Sequence, residues 1–137
     1  MPSPEPAILR ALRSHLIDFA RHRTLPIAFT NRQFTAPSGV YLRETLIPNQ
    51  TGRLFVASDG PHRHMGLYQV DVFAPENTGE TDHVALAGEI ADHFAVDLRL
   101  TDGGVRTRIT KRPSVGPTLV DGALAMIPTT IEWETFA

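Results

Sequence analysis

The chain has 137 residues, of which 42% are hydrophobic and 20% charged, and its formal net charge is −2. These values are typical of one globular domain over residues 1–137, and they do not predict bulk binding to nucleic acid. The sequence contains no cysteine, which excludes disulfides, thiolate metal sites and cysteine nucleophiles.

The N-terminal segment predicts an amphipathic helix over residues 5–22. Ser3-Pro4-Glu5-Pro6 is typical of a helix start, because it supplies a capping hydroxyl, an early proline and an acid at the positive end of the dipole. Apolar residues then recur at helical spacing, at Ile8, Leu12, Leu16 and Phe19. The segment lacks the basic start and uninterrupted apolar run of a signal peptide, and no window of the chain is apolar enough for a membrane span. We therefore expect a cytosolic product.

The next part of the chain predicts strands. Val40–Ile47 is the first, and Leu54–Ala57 and Met65–Phe73 follow on either side of an Asp59-Gly60 turn. Within the third, alternate residues share one face, as in Tyr68, Val70 and Val72 against Gln69 and Asp71.

A second helix is predicted over residues 79–95. Its apolar stripe comprises Val84, Ala87, Ala91 and Phe94, and its acids lie largely off that stripe, at Asp82, Glu89 and Asp92. After it, Leu98–Thr101 and Val105–Thr110 flank Asp102-Gly103-Gly104, which favours a hairpin because glycine tolerates positive φ.

The last predicted strand is Ala123–Glu134, which follows an Asp121-Gly122 turn. Pro128 cannot donate to a sheet ladder, so this strand is expected to have a bulge or an edge there. The order of helix, strands, helix and strands predicts an α+β domain: a mostly antiparallel twisted sheet with two amphipathic helices packed on one face.

Two histidines at His62 and His64 raise the question of a metal site. Residues two apart on a strand point the same way, but a catalytic zinc site needs about three protein ligands. The third would come from Asp59, Asp71, His83 or His93, at no recognised spacing. The alternative interpretation is a polar loop whose histidines titrate.

No motif predicts an enzyme or a cofactor. Ser114 lacks the G-x-S-x-G context of a nucleophile, and the glycines form no phosphate loop. Glu132 and Glu134 share one face near the C-terminus, which is more typical of a solvated strand edge than of an acid/base pair.

A basic segment follows the hairpin glycines. It contains Arg106, Arg108, Lys111 and Arg112, and a strand would place Arg106 and Arg108 on one side, together with Arg112 if it continued that far. One interpretation is a solvated edge that discourages aggregation of sheets. The other is a contact with an acidic partner or with passing DNA, because arginine binds carboxylate and phosphate in a bidentate manner.

Taken together, the segments resemble the phage tail terminator proteins. The similarity is to minor tail protein U of lambda-like siphophages, including versions in prophages and gene transfer agents. It rests on an ordered set of segments: the N-terminal helix with Pro26-Ile-Ala-Phe29, Phe34-x-x-Pro37, Tyr41-Leu-Arg43, the run from Gly60 to Pro75, the alanine-rich helix, Pro113-Ser-Val-Gly-Pro117, Asp121-Gly122, Met126-Ile-Pro128 and Trp133.

The resemblance implies structural work in the virion tail, not catalysis. Such proteins form a homo-hexameric ring that caps the tail tube protein, stops its polymerisation and docks the head through a connector or neck protein. The genomic DNA passes through the ring without specific binding. The protein would stand at the head-proximal end of the tail and be present in the host cytoplasm during assembly.

Within that role, the predicted Asp59–Met65 loop becomes a subunit or tube contact that includes His62, Arg63 and His64. The proline-bearing connections 30–38 and 112–118 suit fixed contacts in the same way. The basic segment is expected to face an acidic tube or connector surface, since phosphate contacts in the channel would hold the DNA. The alternatives are a neck or tail-completion protein of similar fold and a small metal-dependent enzyme built on His62 and His64.

Overall fold

The fold contains two helices and nine strands within the residues that this computed structural model describes, 3–56, 58–75 and 79–137. The helices are α1 (Glu5–Arg23) and α2 (Thr81–His93). The strands are β1 (Ile27–Ala28), β2 (Tyr41–Pro48), β3 (Gly52–Arg53), β4 (His62–Pro75), β5 (Arg99–Asp102), β6 (Val105–Ile109), β7 (Ser114–Val115), β8 (Leu119–Asp121) and β9 (Leu124–Phe136). No helix in these ranges is long and apolar enough to cross a membrane.

The strands form one sheet in the order β1-β2-β4-β9-β6-β5. β3 extends β4, and β7 and β8 pair with β9. β1 runs parallel to β2, whereas the other described pairings are antiparallel. The α+β prediction is therefore confirmed, but the sheet is mixed, because segment 29–40 returns the chain to the start of β2 beside β1.

One face of the sheet, which we call the inner face, carries the core. Side chains alternate along each strand, so β4 buries Tyr68, Val70 and Val72 while the residues between them point away. Both helices contribute to the same cluster of buried residues. From the helices and the residues that follow them, the cluster contains Ile8, Leu12, Leu16, Phe19, Ala87, Ile90 and Phe94. No helix within the described residues covers the opposite side, which we call the outer face.

α1 confirms the predicted helix, and α2 differs in which residues it buries. α1 ends at Arg23, and the residue that follows, Thr24, has a left-handed φ of 54°. The residue at its N-terminus is Pro4, and the Ser3 hydroxyl contacts the Glu5 carboxylate instead of capping the backbone. Of the stripe predicted for α2, Ala87, Ala91 and Phe94 are buried, together with Ile90, but Val84 is 40% exposed. Three of the four residues of the predicted stripe therefore lie in the core.

The two turn predictions in the second half of the chain are confirmed. Gly103 and Gly104 have φ values of 55° and 82° between β5 and β6, and Gly122 has φ 63° between β8 and β9.

Pro128 has continuous pairing on one side and interrupted pairing on the other. Its register with β4 has no bulge. On the other side, Val115 pairs with Thr129 and Leu119 with Met126, so three residues lie opposite two. The Pro128 carbonyl accepts a hydrogen bond from the Gly116 N–H at 2.8 Å there. The Pro128 backbone nitrogen, which has no hydrogen to donate, therefore lies on the side of the strand that has the bulge, as predicted.

The predicted strand Leu54–Ala57 is wrong. Leu54, Phe55 and Val56 lie outside any strand and are 46%, 52% and 95% exposed. The Arg53 guanidinium bonds to the carbonyls of Phe55, at 2.9 Å, and Val56, which holds this backbone in a bend. Ala57 lies outside the described residues.

Candidate functional site

The residues His62, Arg63 and His64 lie in β4, not in the predicted Asp59–Met65 loop. The sheet extends this far because His62 and Ala137 exchange two backbone hydrogen bonds, at 2.8 and 3.0 Å. On the other edge, Arg53 of β3 pairs with His62. The loop prediction is therefore wrong for these three residues, since strands from both sides satisfy their backbone groups.

The two histidines share the inner face, as their spacing predicts for a strand. His64 is 9% exposed, and its Nδ1 lies 3.3 Å from the Thr51 hydroxyl and 4.0 Å from the Glu5 carboxylate at the start of α1. Among the described residues, no group of three or more His, Cys, Asp or Glu side chains lies close enough to hold a metal ion. The surroundings of His64 indicate that its side chain takes part in contacts between β4 and the start of α1.

Arg63 points to the outer face, where it shares a carboxylate with Arg108. Glu134 of β9 accepts from Arg63 through Oε2, at 3.1 and 3.0 Å, and from Arg108 through Oε1, at 3.2 and 2.6 Å. Arg108 also donates to Asp97 at 2.7 Å. The sheet thus brings together two predicted site residues that are 45 positions apart in sequence, because β4 and β6 flank β9.

Glu134 is the candidate site residue whose surroundings the sequence reasoning misjudged. It is 7% exposed, so it is not a solvated strand edge. The hydrogen bonds from Arg108 lower the pKa of Glu134 below its usual value. Burial of the carboxylate acts in the opposite direction, and the hydrogen bonds from Arg63 add to the lowering. The carboxylate therefore stays ionised between two cations and serves to position them, which does not suit a general acid.

Arg106 adds a charge to the same surface. Its side chain is exposed on the outer face, and its guanidinium forms no hydrogen bond or ion pair with any other described residue. Arg99 on β5 contacts a single carbonyl, that of Asp97, at 3.5 Å. These two arginines line an open cavity of about 430 Å³ together with Arg108, Glu134, Gly104 and Phe136. We call this surface the basic patch.

The remaining two predicted residues lie apart from the basic patch. β6 ends at Ile109, and the chain then turns, so that Arg112 donates to Asp92 of α2 at 3.3 Å. The strand does not continue as far as Arg112, so the condition under which Arg112 would share a side with Arg106 is not met. Lys111 stays near the outer face, 3.9 Å from Glu132.

A more apolar cavity of about 390 Å³ lies beside the basic patch on the outer face. Its lining includes Ile47, Met65 and Leu67, with Arg63 and Glu134 at the shared border. Farther along, Arg43 bonds to the buried Asp71 at 2.9 and 3.1 Å, and Tyr41 stacks on Phe73 with 4.9 Å between ring centroids. The outer face thus offers guanidinium groups and apolar side chains to a complementary surface.

Comparison with known proteins assigns the chain to a family. A family model described as phage tail terminator protein matches residues 7–133. The chain belongs to the phage tail terminator family. The chain is also similar to a solved structure whose name gives no function, at 31% identity and a TM-score of 0.79, over 93% of this chain and 92% of that chain. No curated protein matches this chain significantly. It is accordingly a structural component of a phage tail.

Proposed function

We propose that six copies of this chain form a ring that caps the head-proximal end of the tail tube, stops tube polymerisation and presents a docking surface to a head connector or neck protein. The observation that carries this proposal is the match of residues 7–133 to the tail terminator family. The protein would be present in the host cytoplasm during assembly, and the genomic DNA would pass through the ring without specific binding.

The outer face supports an assembly role over a catalytic one. Its carboxylates Glu134 and Asp71 are engaged by arginines, so neither is available to a substrate. Conversely, Arg106 and the exposed Phe136 have side chains that a protein surface could cover. Aromatic and arginine side chains are enriched at the cores of protein interfaces.

The segment 54–56 supports the same conclusion at another place. Three successive apolar residues project between β3 and β4, and Val56 is almost fully exposed. An exposed apolar group of this kind marks an interaction site in a folded monomer. We assign it to the contact with the tube or the connector, where burial would favour association.

The test is a tube-elongation assay with purified tail tube protein. Added terminator should arrest elongation at a substoichiometric ratio, and electron microscopy should show a six-fold ring at one tube end. Native mass spectrometry of the capped tubes should give six terminator chains per end. Tubes that elongate normally in its presence would contradict the proposal, and binding to isolated heads alone would favour a neck protein.

A further inference from the structure

We propose that the basic patch binds the exposed acidic side of α2 on the neighbouring copy of the same chain. Each contact in the ring would then join the sheet of one copy to α2 of the next. This inference rests on the proposed ring and names the surfaces that join its subunits. The partner is a second copy, because two surfaces of the one chain carry opposite excess charge and lie on opposite sides of the subunit.

The basic patch has an excess of positive charge. Its own charged residues are Arg99, Arg106, Arg108 and Glu134. Counted with Arg63 and Asp97, which contact Glu134 and Arg108, they make four guanidinium groups and two carboxylates, a difference of +2. Because Glu134 binds Arg63 and Arg108, those two are fixed in place. Arg99 and Arg106 supply the charge that remains for a partner.

The exposed side of α2 has the opposite excess. Asp82, Glu89 and Asp92 are separated by seven and three residues, so they lie along one stripe of the helix. With Glu80 they make four carboxylates against two guanidinium groups, a difference of −2, since Arg23 and Arg112 contact Glu89 and Asp92 at 3.3 Å. Asp82 has no ion pair within the described part of the chain.

The two surfaces lie on opposite sides of the subunit. α2 packs on the inner face through Ala87, Ile90 and Ala91, so its acidic stripe points away from the sheet. The basic patch is on the outer face. A contact between different surfaces of identical chains is heterologous, and such a contact generates a ring when its rotation closes. Placement on opposite sides therefore suits one subunit following another.

Apolar side chains accompany the charges on both surfaces. Phe136 borders the basic patch with 54% of its surface exposed, whereas Val84 on α2 and Val96 after it are 40% and 52% exposed. Stable interfaces combine an apolar centre with a polar rim. An acidic tube or connector surface would need a partner whose charge is unknown, whereas α2 supplies the required charge within this chain.

The experiment uses variants that damage one surface each. Arg99→Glu with Arg106→Glu reverses the basic patch without removing a partner of Glu134, and Asp82→Lys with Glu89→Lys reverses the helix stripe. Native mass spectrometry and light scattering, with and without tail tube protein, should show at least a tenfold loss of rings for either variant. An equimolar mixture should restore rings in which the two variants alternate, because the reversed patch of one complements the reversed helix of the other and the two remaining surfaces are intact. Combining all four substitutions should restore rings.

The matched control is Arg21→Glu, an exposed arginine of α1 that belongs to neither surface. It should leave rings unchanged, and circular dichroism should show native folding for every variant. Normal rings from both double variants would overturn this inference while the ring stands. Normal rings that no longer cap the tube would also overturn this inference, because they would show that the basic patch contacts the tube instead of the neighbouring copy. Absence of rings from the wild type, with or without tube, would instead contradict the proposed function.

Discussion

Replacing Arg13 by alanine should destabilise the fold far more than replacing Arg10, although both arginines lie on α1 and pair with an acid. The Arg13 guanidinium bonds to the Glu44 carboxylate, with Nε at 2.8 Å, and the Tyr68 hydroxyl donates to the other oxygen of Glu44. Glu44 is 1% exposed in the core, so Arg13→Ala leaves a buried charge without its counter-ion.

The magnitude follows from burial. Removing one partner of a buried ion pair costs about 3–5 kcal/mol. The Arg13 side chain keeps 25% of its surface exposed, which places the expected loss near the lower end, about 3 kcal/mol. The control pair, Arg10 with Asp102, is 60% and 26% exposed, and an exposed pair contributes about 0–1 kcal/mol.

The assay is equilibrium unfolding in urea at pH 7, supported by thermal melting. For a chain of this length, about 3 kcal/mol corresponds to roughly a 10 °C fall in Tm. Adding Glu44→Gln to Arg13→Ala should recover part of the loss, because the charge that was left unpaired is gone. A loss no larger than that of Arg10→Ala, or no recovery in the double variant, would refute the argument that the buried charge dominates.

Three further outcomes are expected. The rings of His15 and His93 stack at 3.8 Å, and burial lowers the pKa of His93, against the hydrogen bond with His15. The free energy of unfolding should therefore fall as the pH drops below about 6.5, the unfolded value, and His93→Gln should weaken that dependence in urea titrations. Gly66→Ala should lower the free energy of unfolding by about 1–3 kcal/mol, because the new Cβ would lie 2.5 Å from the Ile47 carbonyl oxygen and 2.8 Å from the Trp133 ring. The control is Gly88→Ala in α2, whose Cβ would meet nothing within 4 Å and which should stabilise the chain in the same unfolding assay. In the wild type, the lowered pKa of Glu134 should make the free energy of unfolding rise as the pH increases from that pKa to the ordinary value of 4.5. Glu134→Gln should remove this rise, which unfolding titrations at about pH 2–6 measure.

Local patterns in the sequence predicted the elements whose structure is set locally. The stripe from Ile8 to Phe19 fixes the buried side of α1, and Gly103-Gly104 adopts the positive φ values that its turn requires. Of the stripe predicted for α2, Ala87, Ala91 and Phe94 are buried, but packing against the sheet adds Ile90 to the buried side and leaves Val84 exposed.

The candidate site could be predicted only in part because its contacts join distant strands. Arg63 and Glu134 are 71 residues apart, and Arg108 and Glu134 are 26 apart. Without the register of β9 against β4 and β6, nothing in the sequence places them together. The side on which Arg112 lies was left open for a related reason: the end of β6 at Ile109 depends on its pairing with β9.

The position of β9 in the chain has a consequence for biosynthesis. This strand pairs with β4, β6, β7 and β8, yet it is the last of them to be translated. Its pairings with β4 span from 49 residues, at Pro75 and Leu124, to 73 residues, at Arg63 and Phe136. Such long-range closure is slow, and it cannot start while β9 is still in the ribosome. A nascent chain therefore lacks a completed outer face until β9 has left the ribosome, and in the proposed ring this would delay contacts between copies until each copy has folded.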